Sequence, residues 1–283
     1  MPSTRPIGIL DSGFGGLSVA RAIRSRLPHE RLLFAADCAF APYGDRDESY
    51  ILRRLEYVIE FLLHHNAKAI VFACNTATAV GIRLFRERFG DALPLIGIEP
   101  AVFPAVRHTR SGVIGVMATS RTLSSAKYLT LKERAQEWAD VHRPMSVHMI
   151  DVPCPGLMNC VEHGDFDTSE TDRLVEHYVA PLAAAGVDEI VLGCTHYPFL
   201  AETIARHAPR AHLIDPAPAV AEQLERRLAF LGLLADEGPS EEAFFVTGAS
   251  PERERVLQSL WSGNPKLLKL EGDAAVDESA AAV

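Results

Sequence analysis

Ala69-Ile70-Val71-Phe72-Ala73-Cys74-Asn75-Thr76 is echoed further along the chain by Glu189-Ile190-Val191-Leu192-Gly193-Cys194-Thr195-His196. Each segment is an apolar, β-branched run, then a small residue, a cysteine and polar hydrogen-bonding groups. Such a run reads as a buried strand whose carboxyl end presents a thiol where the chain turns toward a helix. Open α/β sheets bind ligands at that edge. Two thiols in matching positions of two halves point to one thiol on each face of a single small substrate. Moving a proton from one face of a carbon to the other requires that arrangement.

Outward from these segments the chain alternates strand and helix patterns, which argues for an α/β fold with mainly parallel strands. Strands are expected at residues 6–10, 31–36 and 95–98, with helices at 17–26 and 78–88. A clear amphipathic helix over 50–65 carries Ile51, Leu55, Val58, Ile59, Leu62 and Leu63 on one stripe. Residues 11–16 and 38–47 read as loops. In the second half, strands are expected at 111–117, 146–152, 213–215 and 242–247. Helices are expected at 124–140, 172–185, 216–230 and 251–261, with a turn at 153–156. A chain of 283 residues holds one large or two modest domains. No Gly/Ser linker divides it, so a boundary near Pro100 rests on the repeated topology alone. Residues 271–283 are rich in Ala and acids without an aromatic anchor and are expected to lack fixed structure.

Composition narrows the function classes. Apolar residues make up 48% of the chain, and the net charge of −9 gives no basic patch for nucleic acid. The apolar stretch 7–10 is too short for a signal-sequence core, and no window reaches the length of a membrane span, so a cytoplasmic location without membrane attachment is expected. The five cysteines are widely spaced with no CxxC pair, which favours neither disulfides nor a metal site. Cys38, Cys154 and Cys160 read as reduced thiols packing as small hydrophobes.

Several side chains could do chemistry beside the thiols. Cys74, at the start of a helix, is expected to have a lowered pKa, and Asn75 and Thr76 add donors. Taken singly, each cysteine reads more readily as a buried strand-end residue; the shared context is what shifts the balance. His196, two residues after Cys194, could exchange a proton with that thiol. Asp11 follows the first strand at the edge that Cys74 occupies. It could assist that thiol or merely cap the next helix, and Ser12 with the loop N–H groups could bind a carboxylate. Gly13-Phe14-Gly15-Gly16 followed by Asp37 has the outline of a dinucleotide unit, but the spacing is not GxGxxG and Asp11 would repel a pyrophosphate. A cysteine hydrolase would need only one such Cys with a His, and a two-lobed binding module would need neither thiol.

Four motifs in order, Ile9-Leu10-Asp11-Ser12-Gly13-Phe14-Gly15-Gly16-Leu17, Pro42-Tyr43-Gly44, Ala73-Cys74-Asn75-Thr76-Ala77-Thr78 and Leu192-Gly193-Cys194-Thr195-His196-Tyr197-Pro198, resemble those of the glutamate racemases of the aspartate/glutamate racemase family. The resemblance runs from about Ile7 to Trp261. It implies two similar open, mainly parallel-sheet domains facing each other across a cleft: residues 1–98 plus 214–270, and an inserted 99–213. It implies a cofactor-independent enzyme, with no metal, that interconverts L- and D-glutamate and supplies peptidoglycan, commonly as a homodimer. Aspartate and hydantoin racemases share single segments and are the alternative. By the resemblance, Cys74 and Cys194 are the acid–base pair and Asp11 and His196 assist them. Asp11, Ser12, Tyr43, Gly44, Asn75, Thr76, Thr195 and His196 are implied substrate contacts. Thr119, Thr122 and Glu162 are implied as further contacts from the second domain.

Overall fold

Buried runs and their crossovers organise the chain into two parallel sheets. The computed structural model describes residues 3–235, 237, 238 and 240–270; the tail expected at 271–283 lies outside them. The first sheet holds six strands, β1 (Ile7–Asp11), β2 (Leu32–Ala36), β3 (Ala69–Phe72), β4 (Leu95–Gly97), β9 (Glu242–Val246) and β10 (Leu267–Lys269), in the order β10-β9-β2-β1-β3-β4. The second holds β5 (Val113–Ala118), β6 (His148–Pro153), β7 (Glu189–Leu192) and β8 (His212–Ile214), in the order β6-β5-β7-β8. Every pairing is parallel. All residues of β1, β2, β3 and β7 are buried. Helices cover both faces of such a sheet, which is why these strands read as unbroken apolar runs instead of alternating patterns.

The two sheets repeat one topology. In the first, the chain goes from β1 outward to β2, then returns to β3 on the other side of β1; β5, β6 and β7 do the same. A crevice forms at the carboxyl ends where the order reverses, between β1 and β3 and between β5 and β7. Asp11 ends β1 and Cys74 follows β3, while Thr119 follows β5 and Cys194 follows β7. The sequence thus delivers its chemistry to the same point of each sheet.

Local capping explains several boundaries. The helix Glu48–His64 starts at Asp47, whose carboxylate accepts from Tyr50 N–H at 2.7 Å. The helix Asn75–Phe89 starts earlier than expected because Cys74 is its cap, Sγ accepting from Ala77 N–H at 3.4 Å. The single helix expected over 124–140 is two, Ser120–Ser124 and Ala126–His142, with the Ser125 hydroxyl capping the second. Three seven-residue helices, Val102–His108, Leu157–His163 and Ala201–His207, lie in stretches where the sequence pattern raises no expectation. Two turns leave little room for a periodic stripe. Among the described residues no helix is long and apolar enough to cross a membrane.

Candidate active site

Cys74 stands at the head of a buried relay. Its Sγ lies 3.7 Å from Ser12 Oγ, and Ser12 Oγ donates to Asp11 Oδ1 at 3.2 Å. The same carboxylate accepts Gly13 N–H at 3.1 Å on Oδ1 and the Thr195 hydroxyl at 3.0 Å on Oδ2. Asp11 is therefore no simple helix cap; it ties the end of β1 to the loop that carries Cys194. Burial raises its carboxyl pKa above the usual value, against the pull of His196 and its hydrogen bonds. Cys74 departs from the sequence expectation. Burial pushes its thiol up to about 12, the Asp11 charge adds to the rise, and the hydrogen bonds with Ala77 and Ser12 do not offset them. A helix N-terminus favours a thiolate, but desolvation beside a carboxylate outweighs it here.

Cys194 has different company. Its Sγ lies 3.5 Å from His196 Nδ1, and His196 Nε2 lies 2.7 Å from Glu162 Oε1. Glu162 comes from the helix Leu157–His163 and also accepts Phe14 N–H at 2.6 Å. Gly15 N–H approaches the same Nε2 at 3.2 Å, but the shorter contact to a carboxylate takes the ring proton. Burial alone would pull the imidazole pKa down. The hydrogen bonds and charges of Cys194 and Glu162 outweigh it and hold the ring well above the usual histidine value.

The glycines of the first loop owe their place to this packing. A Cβ on Gly13 would sit 2.3 Å from Glu162 Oε1, and one on Gly15 would sit 2.4 Å from His196 Nδ1. One on Gly16 would meet Asp11 at 2.7 Å. The loop presses on carboxylates and an imidazole where a pyrophosphate would have to lie. Asp37, the other half of the dinucleotide outline, is fully buried and committed. It accepts the Tyr43 hydroxyl at 2.6 Å, Arg54 Nε and a terminal guanidinium nitrogen at 2.8 and 2.7 Å, and the Thr247 hydroxyl at 3.0 Å. It has no capacity left for a ribose.

Both thiols border one chamber of ≈ 10 Å³, with Ser12, Tyr43, Gly44, Asn75, Thr76, Thr119, Thr122, Thr195 and His196. Gly193 and Met158 also line it, and no local pattern marks Met158 for that role. Asp11 and Glu162 are not on the wall; each stands behind a residue that is. Tyr43 offers no free hydroxyl because Asp37 holds it. The hydroxyls of Thr76, Thr119 and Thr122 meet at 3.0–3.4 Å, bridging the two sheets' loops. Asn75 is 5% exposed, and among the described residues neither its Nδ2 nor its Oδ1 has a hydrogen-bond partner. A buried amide without partners costs stability unless a ligand supplies them. Cys38 and Cys154 are buried away from this wall, whereas Cys160 is half-exposed. Among the described residues no three His, Cys, Asp or Glu side chains converge to hold a metal ion.

The paired sheets thus each bring a thiol, with different neighbours, to one chamber. Residues 17–224 match the family described as Asp/Glu/Hydantoin racemase, and the chain belongs to that family. Within it, the chain is 45% identical over 268 residues to the glutamate racemase of Pseudomonas putida (strain W619), covering 94% of this chain and 97% of that one. Among solved structures it is similar to glutamate racemase isoform RacE1 from Bacillus anthracis, with a TM-score of 0.79 and 31% identity over 93% of this chain and 96% of that chain. It is also similar to the glutamate racemase from Francisella tularensis solved in complex with D-glutamate, with a TM-score of 0.79 and 27% identity over 95% and 98% of the two chains.

Proposed function

We propose that this chain interconverts L- and D-glutamate without a cofactor, Cys74 and Cys194 exchanging protons with the two faces of the α-carbon. The observation that carries the reading is that both thiols border one chamber, each at the switch point of its own sheet. The relatives named glutamate racemase, one of them bound to D-glutamate, support glutamate as the substrate.

Racemisation removes the α-hydrogen from one face and returns a proton to the other. One sulfur takes it as thiolate while the opposite sulfur gives one as thiol, so the pair is mixed and inverts at each turnover. In the substrate-free chamber Cys74 is held as the thiol, and His196 stands beside Cys194 to carry a proton to or from it. Ser12 and Asp11 serve Cys74; His196 and Glu162 serve Cys194. The carbanion forms beside a carboxylate with no pyridoxal to spread its charge, so pre-aimed donors must hold that carboxylate, each worth roughly 3 kcal/mol. The orphaned Asn75 amide and the hydroxyls of Thr76, Thr119 and Thr122 are suited to it.

A chamber of ≈ 10 Å³ has room for about one water. Glutamate is far larger, so binding requires the two sheets to separate. We take the moving bodies to be residues 1–98 with 214–270, and 99–213. Separation would break the Asp11–Thr195, Phe14–Glu162 and Thr76–Thr119 bonds. Closure over substrate would exclude water and strengthen the donors.

The test is loss of optical activity from L- or D-glutamate with purified protein and no pyridoxal or nicotinamide added. Cys74→Ser and Cys194→Ser should each lower turnover at least about 10³-fold. Near-normal turnover in either variant overturns the two-thiol reading. Faster turnover of aspartate in the same assay selects the aspartate alternative. Growth of a D-glutamate auxotroph on the wild-type gene alone tests supply of peptidoglycan in the cytoplasm, and sedimentation tests the homodimer that the resemblance implies.

A further inference from the structure

The two thiols differ in their connection to solvent. From Cys194 the path runs 3.5 Å to His196 Nδ1, then through the ring to Nε2 and 2.7 Å to Glu162 Oε1. His196 is 2% exposed but the Glu162 side chain is 14% exposed. Glu162 lines a second cavity of ≈ 880 Å³, between the helices Leu157–His163 and Pro251–Leu260 and the chain near Pro42. Met158 borders both this cavity and the chamber, but a thioether carries no proton. The His196–Glu162 pair forms a polar passage between them. From Cys74 the path runs through Ser12 to Asp11, and Asp11's other partners, Gly13 and Thr195, are buried as well. That relay ends inside the protein.

We propose that Glu162 is the proton port of the enzyme, exchanging the proton of the Cys194–His196 pair with water in the 880 Å³ cavity and so resetting the thiols between turnovers. The proposal rests on the two-thiol reading above. After a turnover that leaves Cys194 protonated, its S–H proton passes to His196 Nδ1 while the Nε2 proton passes to the Glu162 carboxylate. Glu162 then releases that proton to water, leaving Cys194 as thiolate beside a ring now protonated at Nδ1. The reverse sequence takes a proton from water to Cys194. No electrons are exchanged, and every proton is accounted for between sulfur, ring, carboxyl and water. Cys74, with its closed relay, exchanges across the chamber or when the cleft opens.

Glu162→Gln keeps an acceptor for His196 and for Phe14 N–H but cannot ferry a proton. Reset of the free enzyme enters kcat and not kcat/KM. In this variant kcat is expected to fall at least about tenfold further than kcat/KM. Labelled racemate should then be driven off equilibrium by an excess of one unlabelled enantiomer, and added buffer should restore turnover. Ser259→Trp, at an exposed position lining the same cavity, leaves Glu162 in place and crowds out its water. It should show the same split, which covers the case in which Glu162→Gln does not fold. Equal losses in kcat and kcat/KM in either variant, or wild-type kinetics in both, overturn the port. Failure of the wild-type protein to racemise, or activity in a cysteine variant, overturns the underlying reading instead.

Discussion

The Cβ that Gly15 lacks would fall 2.4 Å from Nδ1 of His196, the nitrogen that faces Cys194. Glycine is required there by the approach of an imidazole, since Gly15 is not among the residues with positive φ. Gly15→Ala must displace the ring from the thiol. It should cost about 1–3 kcal/mol, the usual price of overpacking, and lower turnover at least about tenfold. Thermal melts with and without D-glutamate, beside steady-state rates, check both effects. A variant with wild-type stability and rate would show that His196 is not held by this contact.

Asn75 gives the opposite signature. Its amide is buried and unpartnered, so the substrate-free protein bears a desolvation cost of about 1–3 kcal/mol. Asn75→Ala should leave the melting temperature of the free protein unchanged or higher while raising KM at least about tenfold. Loss of stability without a change in KM would assign the amide to the scaffold.

Asp11 links stability to pH. Its pKa is raised in the folded state, chiefly by burial. The sign follows: the folded state is favoured most below the unfolded carboxyl value of about 3.9, and that advantage is lost as pH rises through the folded value. At neutral pH the ionised group opposes folding. Asp11→Asn should melt higher than wild type near neutral pH, with the difference vanishing below about pH 4, and should lose most of its turnover. A lower melting temperature at neutral pH would contradict the burial argument.

Cys74 should remain a thiol in the free protein. With its pKa pushed up to about 12, it contributes no thiolate absorbance near 240 nm across the neutral and mildly alkaline range. The difference titration between wild type and Cys74→Ser should be flat until well above the ordinary thiol range of about 8.5. A step near that ordinary value would show that the helix N-terminus prevails over burial.

The strand runs around Ile70-Val71 and Ile190-Val191 are legible in sequence because both faces are buried and β-branched residues fill them. The thiol positions follow directly from those runs. What local reading cannot see is contact across sequence distance. Gly15 meets His196 and Gly13 meets Glu162 only in three dimensions, so the glycines resemble a phosphate loop until the packing is known. The short helix Leu157–His163, bracketed by Gly156 and Gly164 with φ of 83° and 81°, is too brief for a periodic pattern and carries Glu162. The expected lowering at Cys74 fails for a related reason: the dipole argument is local, whereas the burial and the Asp11 charge that overturn it come from the folded surroundings.

The chamber between the sulfurs, at ≈ 10 Å³, also has a consequence for timing. On the opening proposed above, an amino acid enters only once the Asp11–Thr195 bond and its neighbours part, so the association rate is the encounter rate multiplied by the fraction of molecules standing open. Two ligands that fit the closed chamber equally well will still differ in how fast they arrive if one can dock while the sheets are only partly separated. On that reading, speed of capture is set by the latch and strength of retention by the wall.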